Sequence, residues 1–202
     1  VMDRIITALG GYNNASTSLD FTHYYVVLPS AGWRAALEVL MDSLRHPLFD
    51  PKEIESERSV IVEEIKRHED NPLSKIYDEF TQAAFARCPY SRRVLGTEES
   101  LQTITRQTFL DYLHDRYRLG NVTLCVVGDV SRDEITDAVN TLAGDPDPAS
   151  AAPAPQTWEM IHEPGEVTLQ RDVNQAYLLA GYPTPSIAGT PDEYALDLLS
   201  II

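Results

Sequence analysis

Leu9-Gly10-Gly11-Tyr12-Asn13-Asn14-Ala15-Ser16-Thr17-Ser18-Leu19-Asp20-Phe21-Thr22-His23-Tyr24-Tyr25 is the stretch on which the reading of the fold turns. Gly10 and Gly11 stop a helix predicted over residues 2–9, because glycine takes the positive backbone angles that a helix end requires. From Ala15 to Leu28 the chain is rich in Thr, Tyr, Phe and Val, the residues that suit a pleated surface, and Ser18-Leu19-Asp20 supplies a break. A helix therefore hands over to a β-hairpin, which Pro29 closes.

Outward from the hairpin, Ala36, Leu37, Leu40, Met41 and Leu44 recur at three- and four-residue spacing and predict a helix with one buried face over residues 33–44. Asp50-Pro51 opens the next helix, with Asp50 as N-cap and Pro51 at the first helical position. It runs through Ile54, Val60, Ile61 and Ile65 to about His68. Asn71-Pro72 interrupts, a further helix covers residues 75–85, and one starting after Thr97 continues through Phe109, Tyr112 and Leu113. Residues 121–129, an apolar run bounded by glycine, read as a buried strand, and a helix follows from Glu134 to Leu142. Residues 145–165 open with Pro, Ala, Asp and Ser without periodicity and read as a linker. Residues 166–173 and 175–182 read as strands, and Thr190-Pro191-Asp192-Glu193 starts a last helix. The expected class is α+β, with helices packed on a largely antiparallel sheet. Residues 1–144 form one expected domain, and residues 166–202 begin a second. Both ends of the sequence fall inside helical patterns, so a chain truncated at both ends is expected.

Composition limits the function. The chain has 202 residues, 43% of them hydrophobic, which suits a globular protein with a real core. Sixteen Lys and Arg face 31 Asp and Glu, a net charge of -15 that repels phosphate backbones and anionic lipid, so nucleic acid is not an expected partner. No apolar run is long enough to span a membrane, and no secretory signal pattern stands at the N-terminus, which leaves the compartment open. Cys88 and Cys125 read as two free thiols.

Familiar catalytic motifs are missing: there is no phosphate-binding glycine loop, no Gly-x-Ser-x-Gly elbow and no His-Glu-x-x-His. The richest stretch is the acidic helix after Pro51. Most of its glutamates read as a solvated face. Glu57 and Glu64, however, lie seven residues apart on one face shared with Val60 and Ile61, and carboxylates beside an apolar stripe call for a cation or a metal. His68 follows Glu64 by one helical turn. Taken alone, Asn13-Asn14 reads as turn chemistry, and Tyr24 and Tyr25 as sheet and core aromatics.

Four segments together carry a resemblance. Leu9 to Tyr25 resembles the Gly-Gly, Asn-Ala-x-Thr, Asp-x-Thr-x-Tyr segment of the inverted zincins, the metallopeptidase family of pitrilysin, insulinase and mitochondrial processing peptidase. Glu57-Arg58-Ser59-Val60-Ile61-Val62-Glu63-Glu64 is similar to the family's Glu-Arg-x-Val-Ile-x-x-Glu helix. Pro89-Tyr90 followed by Val94-Leu95-Gly96-Thr97-Glu98-Glu99-Ser100-Leu101 resembles its His-Pro-Tyr and Gly-Thr segment. Residues 117–129 resemble its Tyr-x-Pro-x-Asn-x-x-Leu-x-Val-x-Gly-Asp strand, with Leu119-Gly120 where a proline is usual.

The resemblance implies a zinc-dependent metalloendopeptidase that hydrolyses peptides or unfolded segments with a metal-activated water. It places Glu64 as a zinc ligand and Glu57 as an acidic residue supporting the metal site. It places Asn14, Ala15, Ser16 and Thr17 on an exposed strand edge where a peptide substrate adds as an extra strand. The family's inverted motif His-x-x-Glu-His occurs nowhere in these residues and is expected upstream of Val1. The 202-residue chain is therefore expected to be inactive alone, with an incomplete zinc site. A homo- or heterodimer with a related subunit is an expected partnership. The competing reading is a non-catalytic structural or substrate-presenting subunit of the same family.

Overall fold

Helix α1 (Met2–Ala8) ends where the glycines stand. Gly10 sits at φ 79°, and a Cβ on Gly11 would come within 2.5 Å of the Val27 carbonyl oxygen, so the second glycine lets the helix end lie directly against the hairpin. The computed structural model describes residues 2–144, 165–184 and 191–199. Strands β1 (Tyr12–Thr17) and β2 (Thr22–Val27) pair antiparallel from Tyr12 opposite Val27 to Thr17 opposite Thr22. Ser18 closes the turn: its hydroxyl donates to the Phe21 carbonyl at 3.0 Å.

Among the described residues the remaining α-helices are α2 (Trp33–Arg45), α3 (Pro51–Asp70), α4 (Pro72–Ala84), α5 (Glu98–Thr103), α6 (Arg106–Arg116), α7 (Arg132–Ala143) and α8 (Asp192–Leu199). Local chemistry accounts for their starts. The Asp50 carboxylate accepts from the Lys52 N–H at 2.8 Å, and Asn71 accepts from Leu73 N–H at 2.9 Å with Pro72 at the first helical position.

The chain divides into two compact units, residues 1–67 with 92–157, and residues 68–91 with 158–202. In the first, α1 packs on α2 and β1, and α2 packs on α7. Its core comprises Ile6, Ala36, Leu37, Ile65, Leu101 and Ala138, all buried. In the second, α4 packs on a short 3-10 turn at Pro89–Ser91, with Cys88 buried beneath it and Phe85 edge-on to Tyr90 at 6.1 Å.

Helices with a hairpin give the α+β class expected, but the sheet is smaller than the sequence suggests. Among the described residues it has two strands. Residues 122–130 and 165–184 contain no regular strand, and Val127 and Leu178 are 92% and 95% exposed. Alternating or apolar segments become strands only when another edge offers its N–H and C=O groups, and in these stretches none does. Cys125 is accordingly exposed rather than buried in a strand. The helix expected to continue from Thr97 through Leu113 is broken in two. Thr105 leaves the helical region and caps α6, its hydroxyl accepting from the Thr108 N–H at 3.3 Å while the Thr108 hydroxyl accepts from the Thr105 N–H at 3.1 Å. The linker expected at residues 145–165 lies outside the described residues except for Gly165.

Candidate functional site

β1 presents Asn14, Ala15, Ser16 and Thr17 to solvent, and all four are exposed. Asn13 and Asn14 stand inside the strand rather than in a turn. Because β1 pairs with β2 alone, its other edge meets no strand among the described residues, although the Ala15 N–H is already taken by the Asn14 side-chain oxygen at 2.8 Å. Alternation puts Asn14 and Ser16 on the face that carries Tyr25 and His23, while Ala15 and Thr17 share the opposite face with Tyr24 and Thr22. Ring contacts run along the first face: His23 stacks on Tyr25 at 5.8 Å, and Tyr12 meets Tyr25 edge-on at 6.3 Å.

The opposite face is tied down. The Tyr24 hydroxyl lies 2.6 Å from the Tyr117 hydroxyl, which sits at the C-terminal cap of α6. Burial, with the hydrogen bond between Tyr117 and Tyr24 next, pushes the Tyr117 phenol well above its ordinary value. At the near end of the strand, the Asn13 amide donates to the Asp3 carboxylate at 2.7 Å and ties β1 to α1. The edge that carries Asn14 to Thr17 is thus held by both its neighbours.

Helix α3 carries the carboxylates. Its inward positions are Ile54, Arg58, Ile61, Val62 and Ile65, and Ile65 is 4% exposed. Glu57 and Glu64 lie off this face, both exposed, and neither makes a hydrogen bond or ion pair with a described residue. Their neighbours differ. Glu63 accepts from the Lys66 ammonium at 2.9 Å, which lowers the Glu63 pKa and raises that of Lys66, while Glu55 pairs with Arg58 at 3.2 Å. His68 is engaged elsewhere: its Nε2 lies 3.2 Å from both carboxylate oxygens of Asp78. The partner expected for Glu57 and Glu64 is therefore not a basic side chain of the described residues.

A carboxylate oxygen is a suitable zinc donor, and Glu64 offers one that no cation among the described residues occupies, so it fits as one ligand among several. Among the described residues no group of three or more His, Cys, Asp and Glu comes together to hold a metal by itself. The structure leaves Glu57 and Glu64 on one helix and Asn14 to Thr17 on a strand of the same compact unit.

One side chain of this helix went unread in the sequence. Arg58, 19% exposed at its side chain, reaches from α3 to the end of α5, where its guanidinium donates to the Leu101 carbonyl and, at 2.8 Å, to the Ile104 carbonyl. A signal for it exists: Arg58 falls in register with Ile54, Ile61 and Ile65, a charge on the apolar face of an amphipathic helix.

No described helix is long and apolar enough to cross a membrane. Compared with known proteins, residues 1–98 match the family profile described as insulinase (peptidase family M16), and residues 103–202 match the profile described as the peptidase M16 inactive domain. An uncharacterized zinc protease of Bacillus subtilis, YmxG, is 32% identical over 174 residues, 86% of this chain and 42% of its own length. The mitochondrial-processing peptidase subunit beta of Homo sapiens is 31% identical over 140 residues, 69% of this chain and 29% of its own length. A protease from Helicobacter pylori of known crystal structure superposes with a TM-score of 0.73 at 23% identity, covering 80% of this chain and 39% of that one, a likeness of fold. The chain spans less than half the length of these relatives.

Proposed function

The chain belongs to the M16 peptidase family, and from that premise we propose that it forms part of a zinc metalloendopeptidase acting on peptides or unfolded segments. The observation that carries this reading is the pair Glu57 and Glu64, exposed and without a partner among the described residues, on a helix whose adjacent Glu55 and Glu63 both pair with basic side chains.

In this reading Glu64 supplies one carboxylate ligand to zinc, and Glu57, two turns earlier on the same face, steadies the site without binding the metal. When bound, zinc supplies Lewis acidity toward the scissile carbonyl and the attacking water. The open edge of β1 at Asn14 to Thr17 holds the substrate by main-chain hydrogen bonds, so the peptide must be extended to pair, which selects unfolded segments. Tyr24 and Asn13 hold that edge still, through Tyr117 and Asp3. A single ligand cannot retain a catalytic zinc, so the 202-residue chain alone is expected to leave peptides intact.

A second reading, a non-catalytic structural or substrate-presenting subunit, draws on the match of residues 103–202 to the inactive type of domain. The two separate in one experiment, performed on protein expressed from the complete reading frame. Zinc content and cleavage of an unfolded peptide are measured for wild type, Glu57→Gln and Glu64→Gln. The peptidase reading expects Glu57→Gln to lower zinc affinity by about 10–100-fold, the usual cost of losing a supporting group, and Glu64→Gln to lower it further. Zinc-free protein, or zinc binding untouched by Glu64→Gln, rejects the peptidase in favour of the subunit.

A further inference from the structure

Zinc coordination tolerates ligand displacements of only about 0.2 Å. A ligand that lies on the solvent side of a long helix therefore depends on whatever stops that helix from rolling about its axis. Apolar packing by Ile54, Ile61 and Ile65 is non-directional and permits small rotations. Arg58, on the same inward face, is directional. Its guanidinium bonds the Leu101 and Ile104 carbonyls at the C-terminal end of α5, where the helix dipole is negative and the Leu101 carbonyl also accepts from the Ile104 N–H at 3.2 Å. The Glu55 carboxylate holds the same guanidinium, its Oε1 accepting from Nε at 3.3 Å and, at 3.2 Å, from Nη2, the nitrogen that also donates to Ile104.

The receiving end is itself fixed. The Thr97 hydroxyl accepts from the Ser100 N–H at 3.2 Å, and the Ser100 hydroxyl accepts from the Thr97 N–H at 2.9 Å, while Leu101 is buried. The Thr105–Thr108 box starts α6 directly after. The two carbonyls are thus held at a rigid corner between two capped helices.

Helical geometry carries the consequence to the carboxylates. At about 100° per residue, Glu57 and Glu64 point within about 20° of each other, and each lies roughly 100–120° around the helix from Arg58. With side-chain atoms about 6 Å from the axis, a roll of about 15° moves a carboxylate by about 1.5 Å, several times what a zinc site accepts.

We propose that Arg58 is a positioning residue: by clamping α3 to the end of α5 it sets the roll of the helix and so aims Glu64 at zinc. This rests on the reading of Glu64 as a ligand, and the test separates the two. Zinc affinity by chelator competition, the visible spectrum of the cobalt-substituted form and the thermal midpoint of the metal-free form are measured on protein from the complete reading frame. The variants are Arg58→Lys, Arg58→Leu, Glu64→Gln and the double variant Arg58→Lys with Glu64→Gln. Arg58→Lys keeps the charge but cannot span both carbonyls. It is expected to weaken zinc binding about 10-fold or more and to shift the cobalt bands. In the Glu64→Gln background the same change has a much smaller effect on affinity, the remainder passing through Glu57, and a merely structural role would not produce that drop.

Leu101→Ala loosens the corner that holds the carbonyls while leaving the guanidinium in place, so it is expected to weaken zinc binding in the same direction as Arg58→Lys, and zinc affinity unchanged by it refutes the corner as the anchor of the clamp. If Arg58→Lys binds zinc as wild type does while Glu64→Gln does not, the positioning role is refuted and the ligand stands. Equal losses of affinity from Arg58→Lys with and without Glu64 also refute it. If Glu64→Gln leaves zinc affinity intact, the ligand assignment falls and the positioning role falls with it.

Discussion

Removing the Tyr117 hydroxyl strands its partner, and the size of the effect follows from where the pair sits. The two hydroxyls are 2.6 Å apart in a half-buried setting, and the rings meet edge-on with centroids 6.3 Å apart. A neutral hydrogen bond of this kind contributes about 1 kcal/mol net, whereas a buried hydroxyl left without a partner costs about 1–3 kcal/mol. Phenylalanine keeps the ring contact, so Tyr117→Phe and Tyr24→Phe are each expected to destabilise by about 1–2 kcal/mol. The double variant strands nothing, and it is expected to cost about as much as either single change, which amounts to a coupling of about 1–2 kcal/mol. Urea unfolding followed by circular dichroism reads all four corners of the cycle. Hydrogen exchange adds the functional side: Tyr24 pairs with Ala15 across the hairpin, so the amides from Asn14 to Thr17 should exchange faster in either single variant. Strictly additive effects of the two changes would refute the argument, because they would mean that the hydroxyls do not depend on each other.

Two further outcomes are expected. Ile6 has no exposed surface and fills the space between α1 and the hairpin, so Ile6→Ala is expected to cost about 2–5 kcal/mol, seen as a lower urea midpoint; a loss under about 1 kcal/mol would mean the site collapses around the gap. The Tyr117 phenol keeps its proton to higher pH in the folded chain than in the unfolded one. Its contribution is therefore fully present below about pH 10, the unfolded value, and is lost as pH rises above it, where the unfolded chain releases the proton first. The stability difference between wild type and Tyr117→Phe should be constant from pH 7 to 9 and shrink at pH 11; a difference that grows with pH overturns the assignment.

Much of the site could be read before any coordinates. Gly10-Gly11 as a helix stop, the hairpin break at Ser18 to Asp20 and the start of α3 at Pro51 all depend on neighbouring residues, and local backbone preference decides such features. Glu57 and Glu64 were legible as a pair because helical periodicity alone puts them on one face. Their state was not. That Glu63 finds Lys66 while Glu64 finds no cation among the described residues depends on side-chain reach around the folded helix, which spacing does not determine.

Other features were illegible for a related reason. The break at Thr105 turns on a capping box whose last member is a threonine instead of the usual Glu or Gln, so the sequence read straight through it. Residues 122–130 and 165–184 have strand-like patterns, yet a strand exists only when a second edge accepts its hydrogen bonds. Only the arrival of two carbonyls from the end of α5, 43 and 46 residues away, makes Arg58 an internal clamp. The sequence by itself determined the helices, the hairpin and the face on which the carboxylates stand, because these follow from bonds and sterics between near neighbours. Tertiary structure alone decided which segments find a strand partner, which charges find each other and how α3 is held, because those contacts join residues that are distant along the chain.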